Sequence, residues 1–225
     1  MAIVLYNTGQ AVGSTLNIDV GPNTAGRKVI IGLAHEEVRS SDGLDCGGIA
    51  CTKINEWTNL DAVGLHQEWW YIDTALTATG TVAIELDAIT GGKDWGIIAG
   101  VYTGLAAGGP TATFANITSV GTANLFVDAT NAAGELGVYG AANGGSSLPN
   151  IWYSGFTERQ DDSANYPDSS VFAFGDQVWG SANASPVSYQ VNHGGSYNRA
   201  VGVISTWGPL PAGLAPTIDL VARPS

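Results

Sequence analysis

Apolar and polar residues alternate with a period of two along nearly the whole chain. Leu16, Ile18 and Val20 are separated by Asn17 and Asp19, the pattern of a strand with one buried face. The run Val29-Ile30-Ile31-Gly32-Leu33-Ala34 is short and continuously apolar, which predicts a central strand covered on both faces. Within 44–51, Gly47-Gly48 can supply the positive φ of a two-residue hairpin turn and would pair Cys46 with Ile49. Strand-length runs follow at 65–72, 81–86, 95–102, 114–118, 124–129, 135–139, 151–157, 171–179, 187–191 and 200–207. Clusters of Gly, Asn, Asp, Ser and Thr separate them. No window places apolar residues at helical spacing between caps, and Gly and β-branched residues are frequent. The pattern predicts an all-β, two-sheet antiparallel β-sandwich, jelly-roll-like because many strands must close without exposed edges.

The two ends read differently. Residues 1–13 hold one short candidate strand, Ile3-Val4-Leu5-Tyr6. Residues 208–225 are punctuated by Pro209, Pro211, Pro216 and Pro224 around Ile218-Asp219-Leu220-Val221. Proline removes donors and keeps a chain extended, so both ends are expected as arms flanking a single domain over 14–207. The stretch 140–147, rich in Gly, Ala, Asn and Ser, is the nearest approach to a boundary and is short enough to be a loop.

Composition narrows the function. The 225 residues carry 8 Lys+Arg against 20 Asp+Glu, a net charge of −12. Such a surplus repels phosphate backbones and anionic lipid, which argues against nucleic-acid and membrane partners. No apolar run reaches the roughly 20 residues of a membrane span. The first ten residues lack the basic region of a signal peptide, so synthesis in a cytoplasm without Sec export is expected.

Several side-chain groups invite a chemical reading. Cys46 and Cys51 would lie diagonally on one hairpin face. A disulfide there is conceivable but strained, and two reduced, buried thiols are the favoured reading. His66 and Glu68, two apart on a strand, could bind zinc or act as base and orienter; a solvated polar face is the favoured alternative. His35 closes the first core strand, and His193 stands apart. Glu85 and Asp87 share a strand face, without a placed partner for glycosidase chemistry. The loop holding Asp161, Asp162 and Asp168 offers oxygen ligands for calcium but lacks a defined calcium spacing. No catalytic, cofactor or metal residues are therefore assigned. Of seven tryptophans, adjacent Trp69 and Trp70 must point to opposite faces. One lies inside; the other meets solvent, another layer or a partner.

Five strings in order carry a resemblance: Gly26-Arg27-Lys28-Val29-Ile30-Ile31-Gly32-Leu33; Leu44 through Thr52; Trp70-Tyr71-Ile72 with Gly80; Asn124-Leu125-Phe126-Val127-Asp128; and Arg199-Ala200-Val201-Gly202-Val203-Ile204. Over roughly 14–207 the chain resembles a β-sandwich domain of tailed-phage virion proteins and bacterial surface proteins, departing from that pattern at Cys46 and Cys51. The resemblance implies a non-enzymatic structural protein of a virion, most readily a decoration (cement) subunit on the capsid exterior. Its partners would be the major capsid protein or other virion proteins, and a symmetric oligomer such as a trimer follows from the cement role alone. The alternative is a carbohydrate-binding or adhesin module taking a surface glycan on Trp152-Tyr153. Expected contact residues are Ile3, Leu5, Tyr6, Leu210, Ile218 and Leu220 of the arms, with Trp70, Trp152 and Tyr153 of the domain.

Overall fold

A computed structural model describes residues 2–35, 40–59, 64–73, 75–87, 95–118, 124–144, 151–152, 155–162, 170–192 and 199–212. The fold is all-β with antiparallel pairing throughout, as the alternation predicts. Its sheets number four among the described residues, where the sequence led us to expect two.

The first inner sheet places β1 (Val4–Val12) at its edge, then β9 (Gly96–Thr103), β3 (Lys28–His35), β7 (Leu65–Ile72) and β6 (Thr52–Asn59). Against it lies a first outer sheet of β2 (Thr15–Asp19), β8 (Thr81–Asp87), β4 (Gly43–Cys46) and β5 (Ile49–Ala50). The second inner sheet runs β10 (Ala112–Thr118), β17 (Arg199–Trp207), β12 (Leu136–Gly144), β15 (Ser170–Val178) and β14 (Thr157–Asp162). A second outer sheet holds β11 (Asn124–Asn131), β16 (Asn183–Asn192) and β13 (Ile151–Trp152).

These orders are the same order twice. Counting within each half, β1-β9-β3-β7-β6 becomes β10-β17-β12-β15-β14, and β2-β8-β4 becomes β11-β16-β13. The chain is an internal repeat of one sandwich. The first copy carries the extra strand β5, and the copies stack inner sheet to inner sheet.

Three cores follow from four layers. In the first, Leu16, Ile18, Leu44, Val82 and Ile84 of the outer sheet meet Val29, Ile31, Leu33, Trp70 and Ile97. In the middle core, Ile30, Trp69, Ile98 and Tyr102 of one copy meet Val138, Phe172, Phe174, Val203 and Trp207 of the other. Leu125, Val127, Tyr189 and Val191 pack on Tyr139, Ala141 and Ile204 in the third. The continuous apolar run of β3 is thus explained: its alternate residues feed two different cores, and all eight are buried.

Glycines set the spacing of the middle core. A Cβ built on Gly140 would collide with the Trp69 indole, and one on Gly32 would stand 2.8 Å from Phe172 Cζ. One on Gly100 would stand 2.9 Å from Phe174 Cζ. Each inner sheet therefore presents glycine to the other's aromatic rings, and the rings sink to the backbone.

Several expectations change. The N-terminal segment is not an arm: Val4–Val12 pairs with β9 from Val4↔Thr103 to Val12↔Gly96. The strand runs past the apolar stretch because Asn7, Thr8, Gly9 and Gln10 continue the pairing without continuing the alternation. The suspected boundary at 140–147 begins inside β12, where small residues make room for Trp69. The division lies instead between β9 and β10. Of the C-terminal segment, 208–212 is fixed to the first copy by an isolated Leu105↔Pro209 bridge, and Ala106 N donates to Gly208 O (2.9 Å). Residues 213–225, with Ile218 and Leu220, lie outside the described residues, as do His193, Asp168 and Tyr153.

The hairpin forms as expected, with Cys46 opposite Ile49 and Gly47 and Gly48 at φ of +60° and +75°. Cys46 and Cys51 are free thiols. Burial pushes the Cys46 thiol up to about 11, and burial raises Cys51 as well. Both should resist a thiol reagent in native buffer at pH 7.5 and react fully once denaturant is added. Rapid native labelling would show that the hairpin opens.

Candidate docking groove and a closed polar cluster

Three expected contact residues, Ile3, Leu5 and Leu210, come together at one end of the stack, where the start of the chain meets Pro209–Ala212. Gly104 makes the meeting possible. It sits at φ +80°, and a Cβ there would strike the carbonyl oxygen of Ala2. Its own carbonyl accepts from Leu210 N (2.7 Å). Ile3 and Leu5 then pack against the middle core as half-buried side chains. Between Ala2-Ile3 and Pro209–Ala212 lies a cavity of ≈ 530 Å³ lined also by Gly134 and Val178, with no charged side chain among the described lining residues. Val178 is 50% exposed at its rim, an unusual position for a valine beside other apolar groups.

A second cavity of ≈ 350 Å³ shares Ile3 and Val178 and continues the groove toward polar residues. There Asp176 of β15, almost fully buried, accepts from Tyr102 Oη (2.9 Å) and from Arg159 Nε (2.8 Å). Burial and the adjacent carboxylate push the Tyr102 phenol well above its usual range, so it stays a neutral donor. The Asp176 hydrogen bond raises Arg159, which stays cationic. The trio ties β9 of the first copy to β15 of the second.

Tyr6 lies apart from this groove. It is 47% exposed, its ring covers the Gly21 turn, and its hydroxyl donates to Asp19 Oδ2 (3.3 Å). Trp70 is no surface residue: it is buried in the first core, while Trp69 fills the middle one. The opposite-face rule held, and the second ring met another layer. Trp152 falls in β13 by its backbone.

The favoured reading of His66 and Glu68 as a solvated face is overturned, since both are buried. β6 and β7 bring Glu56 and Thr58 beside them, so Glu56, His66 and Glu68 hold ligand atoms within 4.8 Å of one another. Glu68 Oε1 accepts from Ser41 N (2.7 Å) and His66 Nε2 (3.0 Å). Glu68 Oε2 accepts from Ser41 Oγ (2.5 Å) and Trp70 Nε1 (2.8 Å). Burial raises the Glu68 carboxyl, but hydrogen bonds from His66, Ser41 and Trp70 outweigh it and hold the group down at about 2. A carboxylate only accepts, so His66 carries its proton on Nε2, and Nδ1 faces Thr58 Oγ1 (2.7 Å). Lys53 Nζ bonds Glu56 and stands 3.4 Å from Glu68 Oε1, occupying the place a cation would take. The residue types suit zinc, but Glu68 already accepts four hydrogen bonds, one of them from His66 Nε2. The cluster is a clasp that fixes residues 40–41 to the sheet.

His35, opposite His66 in the register, stacks on Trp95 at 4.7 Å between ring centroids. Sequence reasoning missed Arg159 and Asp176 entirely. Arg159 and Asp176 meet across the adjacent strands β14 and β15, beside a bulge that alternation does not mark, and Tyr102 reaches Asp176 only because the two copies stack.

Comparison with protein-family models, with curated proteins and with solved structures finds no match for this chain.

Proposed function

We propose that this protein is a non-enzymatic structural component of a bacteriophage virion, a decoration subunit that binds the outer surface of the capsid shell and stabilises it. The observation that carries the reading is the groove of ≈ 530 Å³ between Ala2-Ile3 and Pro209–Ala212, whose described lining residues carry no charge, with Val178 left half-exposed beside it. A chain of net charge −12 repels its neighbours at long range, so a patch without charge is where a partner can seat at low desolvation cost. The edge strand β1 runs from this groove and carries the exposed Val4 and Tyr6. Its outer edge can accept a strand from a shell protein, with main-chain hydrogen bonds giving affinity and the groove giving specificity. Binding to the assembled shell alone would stabilise it by mass action, without chemistry. The resemblance of residues 14–207 to virion sandwich domains points the same way, as does the sharing of the polar groups among themselves at Glu68 and Asp176.

The test uses purified virions and the intact chain. Val178→Asp should cut attachment to shells lacking the protein by at least tenfold while leaving the melting temperature within a few degrees, because Val178 is a rim residue. Removing residues 208–225 should weaken attachment further. Virions that lack this chain, or a Val178→Asp protein that attaches normally, would defeat the proposal. Sedimentation of the free protein decides between a monomer and the symmetric trimer expected of a cement role.

A further inference from the structure

The repeat allows each half of the molecule to serve as the other's control. β2 and β8 pair as Thr15↔Glu85, Asn17↔Ala83 and Asp19↔Thr81. β11 and β16 pair in the same way as Asn124↔Asn192, Phe126↔Gln190 and Asp128↔Ser188. On the inner side the copies agree, with Leu16, Ile18, Val82 and Ile84 matched by Leu125, Val127, Tyr189 and Val191, all buried. On the outer side they have parted. Where the first copy shows Asn17 and Ala83, the second shows Phe126 and Gln190. Where the first shows Thr15 and Glu85, the second shows Asn124 and Asn192.

The scaffold itself does not ask for Phe126. Its counterpart is an asparagine, and Phe126 is 43% exposed on the outer sheet. The polar groups beside it are held in place. Asn124 Oδ1 accepts from Gln190 Nε2 (2.9 Å) and from Asn192 Nδ2 (2.8 Å), and Ser188 Oγ donates to Asp128. The Phe126 carbonyl accepts from Asn116 Nδ2 (2.7 Å), which ties the strand beneath the ring to β10. An aromatic face thus lies beside a row of mutually oriented amides, along about 13 Å of strand.

The chemistry selects the ligand. A phosphate-bearing or otherwise anionic ligand is repelled by a chain of net charge −12. A cation would prefer the first outer sheet, whose outward residues include Asp19, Asp45, Glu85 and Asp87. What remains is a neutral molecule with an apolar C–H face for the negative face of the ring, and hydroxyls for amides that both donate and accept. We infer that the outer face of β11 and β16 binds a neutral polysaccharide, with Phe126 as the stacking platform and Asn124, Gln190 and Asn192 as the hydroxyl-reading row. The inference stands apart from the shell-binding role, since none of the described residues lining the groove at Ile3 and Pro209–Ala212 lies on this face.

The experiment titrates the intact, isotope-labelled protein with neutral oligosaccharides of glucose, galactose, mannose and N-acetylglucosamine while recording amide shifts. At least one should bind with a Kd between about 10 µM and 1 mM and move the amides of 124–128 and 188–192. Phe126→Ala should weaken that binding at least tenfold with an unchanged melting temperature, and Gln190→Ala should weaken it severalfold. Asn17→Ala, on the matched face of the other copy, should change nothing. No shift with any of the four sugars would overturn the inference. So would shifts confined elsewhere, or a Phe126→Ala protein that binds normally. A change of oligomeric state in Phe126→Ala would assign the face to protein contact instead.

Discussion

Replacing Trp69 with alanine should lower the stability of the whole chain by about 3–5 kcal/mol, among the largest effects of any single substitution in this protein. The indole is almost fully buried between the inner sheets and reaches the backbone at Gly140. Removing it leaves a cavity walled by glycine and β-strand backbone, which cannot collapse to fill the space. The reciprocal change, Gly140→Ala, places a methyl group inside the volume of the ring. It should cost about 1–3 kcal/mol through overpacking. The two changes touch the same space, so they cannot add. With Trp69 already gone the extra methyl partly fills the hole, and the double variant should be more stable than the sum of its parts by about 1 kcal/mol or more. Denaturant midpoints of the four proteins give the answer. Strict additivity would mean that the copies are not interlocked at this point. Because the middle core joins the two copies, their unfolding should also become less cooperative in Trp69→Ala, with separate transitions for the halves.

This interlock shows where the sequence can be read and where it cannot. Period-two alternation identified the strands because each apolar residue records only that its own side of the strand is covered. That is why 16–20 and 81–86 were legible, and why the unbroken run at 29–34 announced a strand covered twice. Alternation does not say which sheet does the covering. Ile30 and Ile31 look alike in the sequence, yet one enters the middle core and the other the first. A signal for the doubling was present. Leu16-Asn17-Ile18-Asp19 returns as Leu125-Phe126-Val127-Asp128. Gly26, Gly32 and Ala34 return as Gly134, Gly140 and Ala142, at a spacing of about 108 residues. It was faint because the matched positions keep volume and polarity more than identity: Trp69 faces Gly32 across its pair just as Phe174 faces Gly140. The groove was half-legible. Apolar terminal residues at Ile3, Leu5 and Leu210 marked it, but the buried Asp176 that closes its polar end comes from a strand far away in sequence. Trp69 and Trp70 were legible only as opposite faces: the sequence leaves the second ring open to solvent, another layer or a partner, and the first outer sheet is the layer that covers Trp70.

Glu68, buried beside Trp70 and His66, is a strongly acid-sensitive group. Its carboxyl titrates at about 2 in the folded chain against an ordinary 4.5. A depressed folded value means that the group stabilises the fold fully above about pH 4.5, and that this contribution is lost as the pH falls through 4.5 toward 2. The difference corresponds to about 3 kcal/mol. Glu68→Gln keeps the size but ends the ionic acceptor for His66, Ser41 N and Trp70 Nε1, and it turns one end of the group into a donor facing donors. At pH 7 the variant should therefore be less stable than the native protein by about 3 kcal/mol. The gap should narrow steadily below pH 4.5 and nearly close by pH 2, where native Glu68 is half protonated. Glu56, whose carboxyl is held low by Lys53 and Ser40, is 43% exposed and should contribute far less. The measurement is the denaturant midpoint of both proteins from pH 2 to 7, with amide exchange at Ser41 as a local readout. Its exchange should quicken in the variant, because the Glu68 oxygen is the partner that holds that N–H. Parallel pH curves would show that the hydrogen bonds at Glu68 are no stronger in the folded state than in water, and the clasp would have to be abandoned.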